Sequence, residues 1–177
     1  MIAPNTAIVL AAGLGKRMRP ITDTMPKPLV RIAGRTLLDR GLDALAAAGV
    51  EKAIVNVHHF PEQIVAHVAA RRQPRVVISD ESGGLLDSAG GIVKALPELG
   101  DQPFYILNAD TFWIDRDRSN LERLALAWNP GAADILIMLA HLDSATGHSG
   151  CCRPCAEWTS SSSRMRASAA GSAGRSP

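Results

Sequence analysis

The stretch Ile8–Val30, IVLAAGLGKRMRPITDTMPKPLV, decides the fold. It opens as the end of an apolar, β-rich strand (7–12) and then breaks at Gly13 into a loop. That loop carries Gly13 and Gly15, the cations Lys16, Arg17, Arg19 and Lys27, and the prolines Pro20, Pro26 and Pro28. In open parallel sheets, ligands bind beyond the carboxyl ends of strands, at the point where strand order reverses. A loop of this kind is therefore the first place to seek an anion. Glycines let backbone amides approach it, and the cations neutralise it.

Reading outward, short apolar runs alternate with helical patterns. Strands are predicted at 53–58, 75–79, 104–110 and 134–142, helices at 36–49, 61–72, 89–96 and 119–129. Gly49 and Pro97 are expected to stop the first and third helices. Pro61 should open the second, with Ile64, Val65 and Val68 on one face, and Ser119 should cap the fourth. Strand and helix alternating at this spacing imply βαβ units with right-handed crossovers. The strands are continuously apolar rather than alternating, which suits a sheet covered on both faces. The expected fold is α/β, a doubly wound and mostly parallel sheet with helices on both faces.

Composition narrows the function. The chain has 177 residues and a net charge of +2, with aromatics at 4%. The length fits one domain, the core must be aliphatic, and the charge gives no reason to expect nucleic acid. No apolar run reaches the roughly 18 residues a membrane span needs. The start of the chain lacks the basic and apolar segments of a signal peptide. The first 150 residues hold no cysteine, as a reducing compartment allows, and a cytoplasmic protein is expected.

After Gly147 the chain changes character. Residues 148–177 lose apolar periodicity and are rich in Ser, Ala, Gly and Arg, with Glu157 the only acid. Such a segment cannot bury enough apolar surface to order itself. It reads as a disordered tail, or as the out-of-frame translation of a GC-rich gene. Its Cys152–Cys155 pair lacks the further ligands of a zinc site and the helix start of a redox motif.

Two phosphate motifs are excluded for the opening loop. Met18 stands where the dinucleotide fingerprint needs its third glycine. Arg17 follows Gly-Lys where the P-loop needs Ser or Thr. A merely solvated basic loop is the bland alternative.

The segment LAAGLGKRMRPITDTMPKPL closely resembles the L-A-A-G-x-G-x-R-M-x-P-L-T-x-x-x-P-K-P-L signature of the sugar-1-phosphate nucleotidyltransferases, over about twenty residues. Two further segments resemble that family. LLDSAGGIVKAL (85–96) is similar to its base-contacting turn and helix, and ILNAD (106–110) to its metal-binding aspartate. The likeness is strongest to the branch that couples UTP to N-acetylmuramate 1-phosphate or GTP to mannose 1-phosphate. It runs to about Gly150, short of the family's usual length.

The resemblance implies roles residue by residue. Leu10, Ala11, Ala12, Gly13, Gly15 and Lys16 would contact the nucleotide, with its phosphates on the two glycines. Asp87, Ser88 and Gly90 would lie at the base. Arg17 and Lys27 would be catalytic, Arg17 on the reacting phosphates and Lys27 on the sugar phosphate. Asp110 would be catalytic by holding Mg²⁺. A nucleoside triphosphate, UTP in preference to GTP, and a sugar 1-phosphate are the implied partners, with no nucleic acid and no membrane. A nucleotide-binding chain without turnover is the competing expectation. His58 and His59 read as polar groups at a strand end, His67 as a partly exposed helix position, His141 as structural, and Asp115 and Asp117 as solvated. No pattern specifies the acceptor sugar or the oligomeric state.

Overall fold

The computed structural model describes residues 3–115 and 117–139. The chain divides into two units, 1–126 and 127–177. The first contains a parallel four-stranded sheet and a small hairpin. In chain order its elements are β1 (Thr6–Leu10), β2 (Arg31–Ile32), β3 (Arg35–Thr36), α1 (Leu37–Ala47), β4 (Lys52–Val57), α2 (Pro61–Val68), β5 (Arg75–Asp80), α3 (Asp87–Leu99), β6 (Tyr105–Asn108) and α4 (Asn120–Ala127), whose last residue belongs to the second unit.

The sheet order is β5-β4-β1-β6, every pairing parallel. The chain fills one side of β1 first and then crosses to the other, so the order reverses between β1 and β6. Side chains alternate along β1. Ala7 and Val9 pack with Leu38, Leu42, Leu45, Ile64, Val68 and Leu121, which come from α1, α2 and α4. Ile8 faces the other way and packs with Ile54, Ala95 and Leu99, beneath α3. Both faces of β1 are thus covered, as its continuous apolar run requires. Among the described residues the buried hydrophobic side chains are aliphatic except Tyr105, and Thr22, Thr36, Asn56 and Glu81 are the buried polar ones. The Tyr105 hydroxyl donates to Leu121 O at 3.1 Å, tying β6 to α4, and burial pushes that phenol above its ordinary value.

Local signals set most boundaries. Thr36 caps α1, its hydroxyl accepting from Asp39 N at 3.0 Å. Gly49, at φ +84°, ends it with bonds from Gly49 N to Ala46 O and from Val50 N to Leu45 O, the Schellman arrangement. The β2–β3 hairpin was not anticipated. Its two-residue turn, Ala33 and Gly34, is left-handed at both positions, the form that matches the twist of paired strands.

Other expectations are corrected. α3 does not stop at Pro97 but runs through it to Leu99. α2 ends at Val68, and Val65 is turned out to solvent while Ile64 and Val68 are buried. Asp115 is not simply solvated, since its carboxylate accepts from Asn120 N at 2.8 Å, at the start of α4. The strand expected at 134–142 is not formed over 134–139, where Ile135, Ile137 and Leu139 are exposed. Apolar content alone does not make a strand without a neighbour to complete its hydrogen bonds. The expectations for His141, the cysteine pair and the tail 148–177 lie outside the described residues.

His67 is more than a helix-face residue. Its Nε2 lies 3.0 Å from Asp39 Oδ2 and 3.4 Å from the Thr36 hydroxyl, clasping α2 to the start of α1. Burial works to raise the Asp39 carboxyl. The Thr36 hydroxyl, His67 and Arg71 outweigh it and hold the group below its ordinary 3.8. A carboxylate depressed by folding stabilises above its unfolded value and loses that effect as pH falls through the folded one. Thr36→Ala should cost about 1 kcal/mol of stability, the usual worth of an N-cap. The gap between Asp39→Asn and the unaltered protein should be full at pH 7 and shrink below pH 3.8. Denaturant unfolding at both pH values checks this, and a gap independent of pH would refute it.

Candidate functional site

The site lies where β1 leaves the sheet. Beyond Leu10 the chain turns through Ala11 and Ala12, both buried, into an exposed run from Gly13 to Arg19 interrupted by half-buried positions. Three 3₁₀ turns, Lys16–Met18, Ile21–Asp23 and Lys27–Leu29, shape the loop. Pro28 lies within the last of these, directly after Lys27. Proline narrows the backbone choices on either side of Lys27.

The loop is braced from within. Gly15 takes φ +62°, and the buried Thr22 hydroxyl donates to its carbonyl at 2.9 Å. His59 Nε2 meets the Thr22 carbonyl at 3.2 Å, and Gln63 Nε2 donates to Thr24 O at 3.0 Å. His59 is therefore a strut between β4 and the loop. His58 likewise contacts the Glu81 carbonyl, at 2.7 Å.

Lys27 and Asp110 meet across the switch point. Lys27 Nζ lies 2.5 Å from Asp110 Oδ2, the side chains 25% and 39% exposed. The strand ends from which the loop and Asp110 depart are joined directly, with Leu10 paired to Asn108 and Ala109 N donating to Leu10 O at 3.0 Å. An ion pair this open contributes at most about 1 kcal/mol, so its significance is placement rather than stability. Lys16 and Arg17 are exposed on the same loop. Arg19 is turned into a surface pair with Asp23, at 3.1 Å.

Among the described residues no three His, Cys, Asp or Glu side chains cluster as a metal site. Asp110 supplies a single carboxylate. One oxygen donor suits Mg²⁺ where phosphate oxygens and water provide the rest of an octahedral shell. The donor chemistry fits on that condition.

The segment 82–89 is exposed and opens α3, with Asp87 and Ser88 at its first turn and Gly90 half-buried behind them. Asp87 adopts φ +58°. Two residues that sequence reasoning passed over connect this segment to the loop. Asn56, 2% exposed, accepts from Ala11 N at 2.6 Å through Oδ1 and donates through Nδ2 to Glu81 Oε1 at 2.8 Å. Glu81, also 2% exposed, accepts from Leu86 N at 3.2 Å through its other oxygen. The available signal was an amide inside the apolar run AIVNV.

A Cβ on Gly15 would stand 2.9 Å from Thr22 Cγ2 and 3.3 Å from Lys27 Cβ. Gly15→Ala should therefore lose roughly 1–2 kcal/mol from the left-handed backbone alone, and more from the clash. Denaturant unfolding measures it, and a loss below a few tenths would mean that the turn is not held as described.

The model of the MobA-like NTP transferase domain matches residues 7–171, past the Gly150 at which the sequence likeness was placed. An N-acetylmuramate alpha-1-phosphate uridylyltransferase of Caulobacter vibrioides is 46% identical over 149 residues, which is 82% of this chain and 62% of that protein. A mannose-1-phosphate guanyltransferase of Aspergillus fumigatus is 38% identical over 109 residues, 59% of this chain and 30% of the other. The inositol-1-phosphate CTP transferase structure from T. maritima superposes with a TM-score of 0.51 at 25% identity, over 62% of this chain and 44% of that one. The chain thus spans less than two thirds of the length of each of these proteins. On the family match and the doubly wound sheet together, the chain belongs to the MobA-like NTP transferase domain family.

Proposed function

We propose that the protein joins a nucleoside triphosphate to a sugar 1-phosphate, forming a nucleoside-diphosphate sugar and releasing pyrophosphate. The observation that carries this reading is the Lys27–Asp110 pair at the reversal point of the sheet, beside the braced glycine loop. A cation and a carboxylate side by side suit a reaction between two phosphates. One attracts phosphate oxygens and the other holds the metal those oxygens bring.

In the reaction a sugar-phosphate oxygen attacks the α-phosphorus. A new P–O bond forms there, the bond to the bridging oxygen of the β-phosphate breaks, and pyrophosphate leaves with the electron pair. The nucleophile is already an anion, so no side chain has to remove a proton. Catalysis is positioning and charge stabilisation. Gly13 and Gly15 leave the backbone open to the nucleotide phosphates. Arg17 neutralises charge at the reacting phosphates, and Lys27 orients the incoming sugar phosphate. Asp110 would hold Mg²⁺, which supplies electrostatic stabilisation of the phosphates when bound.

UTP is the favoured nucleotide. The Asp87–Ser88–x–Gly90–Gly91 segment and the Caulobacter uridylyltransferase support it, and a nucleotide-sugar for cell-wall synthesis would be the product. GTP with mannose 1-phosphate is the second reading, supported by the Aspergillus guanyltransferase. Among the described residues no helix is long and apolar enough to cross a membrane. We assign the reaction to the cytoplasm, consistent with the cysteine-free first 150 residues.

The test is pyrophosphate release with UTP, GTP, CTP and ATP against a panel of sugar 1-phosphates. UTP should support turnover best. Arg17→Ala should lower the rate by more than about 100-fold, as expected for one charge-stabilising group, and a loss under threefold would sink that role. Nucleotide binding without pyrophosphate release from any pair would overturn the transferase reading in favour of a binding protein.

A further inference from the structure

Asn56 and Glu81 form a buried polar bridge that the proposed chemistry does not use. Asn56 sits on β4, paired with Leu10 on one side and Ser79 on the other. Just past Leu10, the chain leaves β1, and the Asn56 side chain supplies the acceptor for Ala11 N. Its amide then donates to Glu81, whose second oxygen holds Leu86 N. Ala11 begins the phosphate loop, and Leu86 immediately precedes Asp87 and Ser88. Two side chains therefore pin both segments of the site, although they are 75 residues apart in sequence, 11 to 86.

The environment is costly for such a pair. Among the described residues Glu81 makes no ion pair. A buried carboxylate with neutral donors alone pays a large desolvation penalty. Apolar side chains in their place would leave Ala11 N and Leu86 N without these acceptors, at a cost of their own. The polar pair contributes direction, because each bond works in one orientation. Gly91 is part of the arrangement. A Cβ there would stand 2.7 Å from Asn56 Nδ2 and 2.8 Å from Glu81 Oε1, so α3 can rest against the bridge only without a side chain.

We infer that Asn56 and Glu81 are positioning residues that set the spacing between the phosphate loop and the base-contacting segment, and so the affinity for nucleotide. This rests on the nucleotide reading of the site. Neither residue touches the reacting atoms. They act through Ala11 and Leu86.

The polarity of the bridge makes it testable by exchange. In Asn56→Asp two carboxylates face each other. In Glu81→Gln a second amide is introduced, and one donor is opposed by another. In the double variant N56D/E81Q every bond can be remade, the aspartate accepting from Ala11 N and from the Gln amide, and the Gln oxygen accepting from Leu86 N. The probe is UTP with Mg²⁺, titrated by calorimetry into the full chain. The folded fraction is measured by circular dichroism, and amide exchange is followed at Ala11 and Leu86.

Each single variant should weaken UTP binding by about tenfold or more, the cost of an opposed buried pair. Protection at both amides should fall. The double variant should return to within about threefold of the unaltered chain, with protection restored. Gly91→Ala introduces a better helix former into α3 and pushes the pair apart, so it should bind UTP more weakly while remaining folded. It reports on the bridge even if a single variant fails to fold.

Single variants that bind like the unaltered chain, or a double variant no better than the weaker single, would overturn the inference. If the unaltered chain binds no UTP, the nucleotide reading fails instead. Amide protection then decides independently whether the bridge locks the two segments.

Discussion

Everything at the site depends on β1 being a central strand of a parallel sheet. Ala7, Ile8 and Val9 are completely buried, bonded to β4 on one side and β6 on the other. A strand so enclosed cannot shift register without turning Ile8 from the α3 face to the opposite one. Its carboxyl end is therefore a fixed point. The loop that follows begins between β4, which supplies Asn56, and β6, which leads to Asp110. Parallel strands end together at the same edge, and that geometry gathers residues 11, 27, 56 and 110 into one place.

Beyond the strand, stiffness is maintained by polar contacts. The loop holds two glycines, three prolines and few buried apolar groups, so hydrophobic packing alone would leave it loose. Thr22 is the internal brace, buried and bonded to Gly15. His59, from the β4–α2 connection, and Gln63, from α2, tie the loop from outside. Preorganisation of this kind matters for phosphate transfer, where catalysis comes chiefly from groups already aimed at the developing charge. The flank beyond β6 is different. Ile106, paired with the fully buried Ile8, is 48% exposed, as α3 packs mainly over β1, β4 and β5.

Most of the architecture was legible in the residues. AIVL, AIVNV and RVVIS read as strands because they are short, apolar and β-branched. α1 was bounded by Thr36 and Gly49, whose capping chemistry is local. The errors have local causes too. Pro97 was read as a stop, yet it lies inside α3 near its last turn. The β2–β3 hairpin has a weak local signal, because an alanine such as Ala33 seldom takes positive φ. Asp115 looked solvated because its partner, Asn120 N, is exposed only by the way α4 starts.

The sequence by itself determined the alternation of strands and helices, the aliphatic core and the position of the charged glycine loop. These follow from periodicity and turn chemistry within a few residues, which do not need the rest of the chain. Only the tertiary structure decided that Lys27 meets Asp110 across 83 residues, and that Asn56 and Glu81 join the two halves of the site. A polar side chain can bond to many partners, and which one it finds depends on strand order and burial. Low-dielectric surroundings then make that choice binding, because a buried group left unpaired is costly.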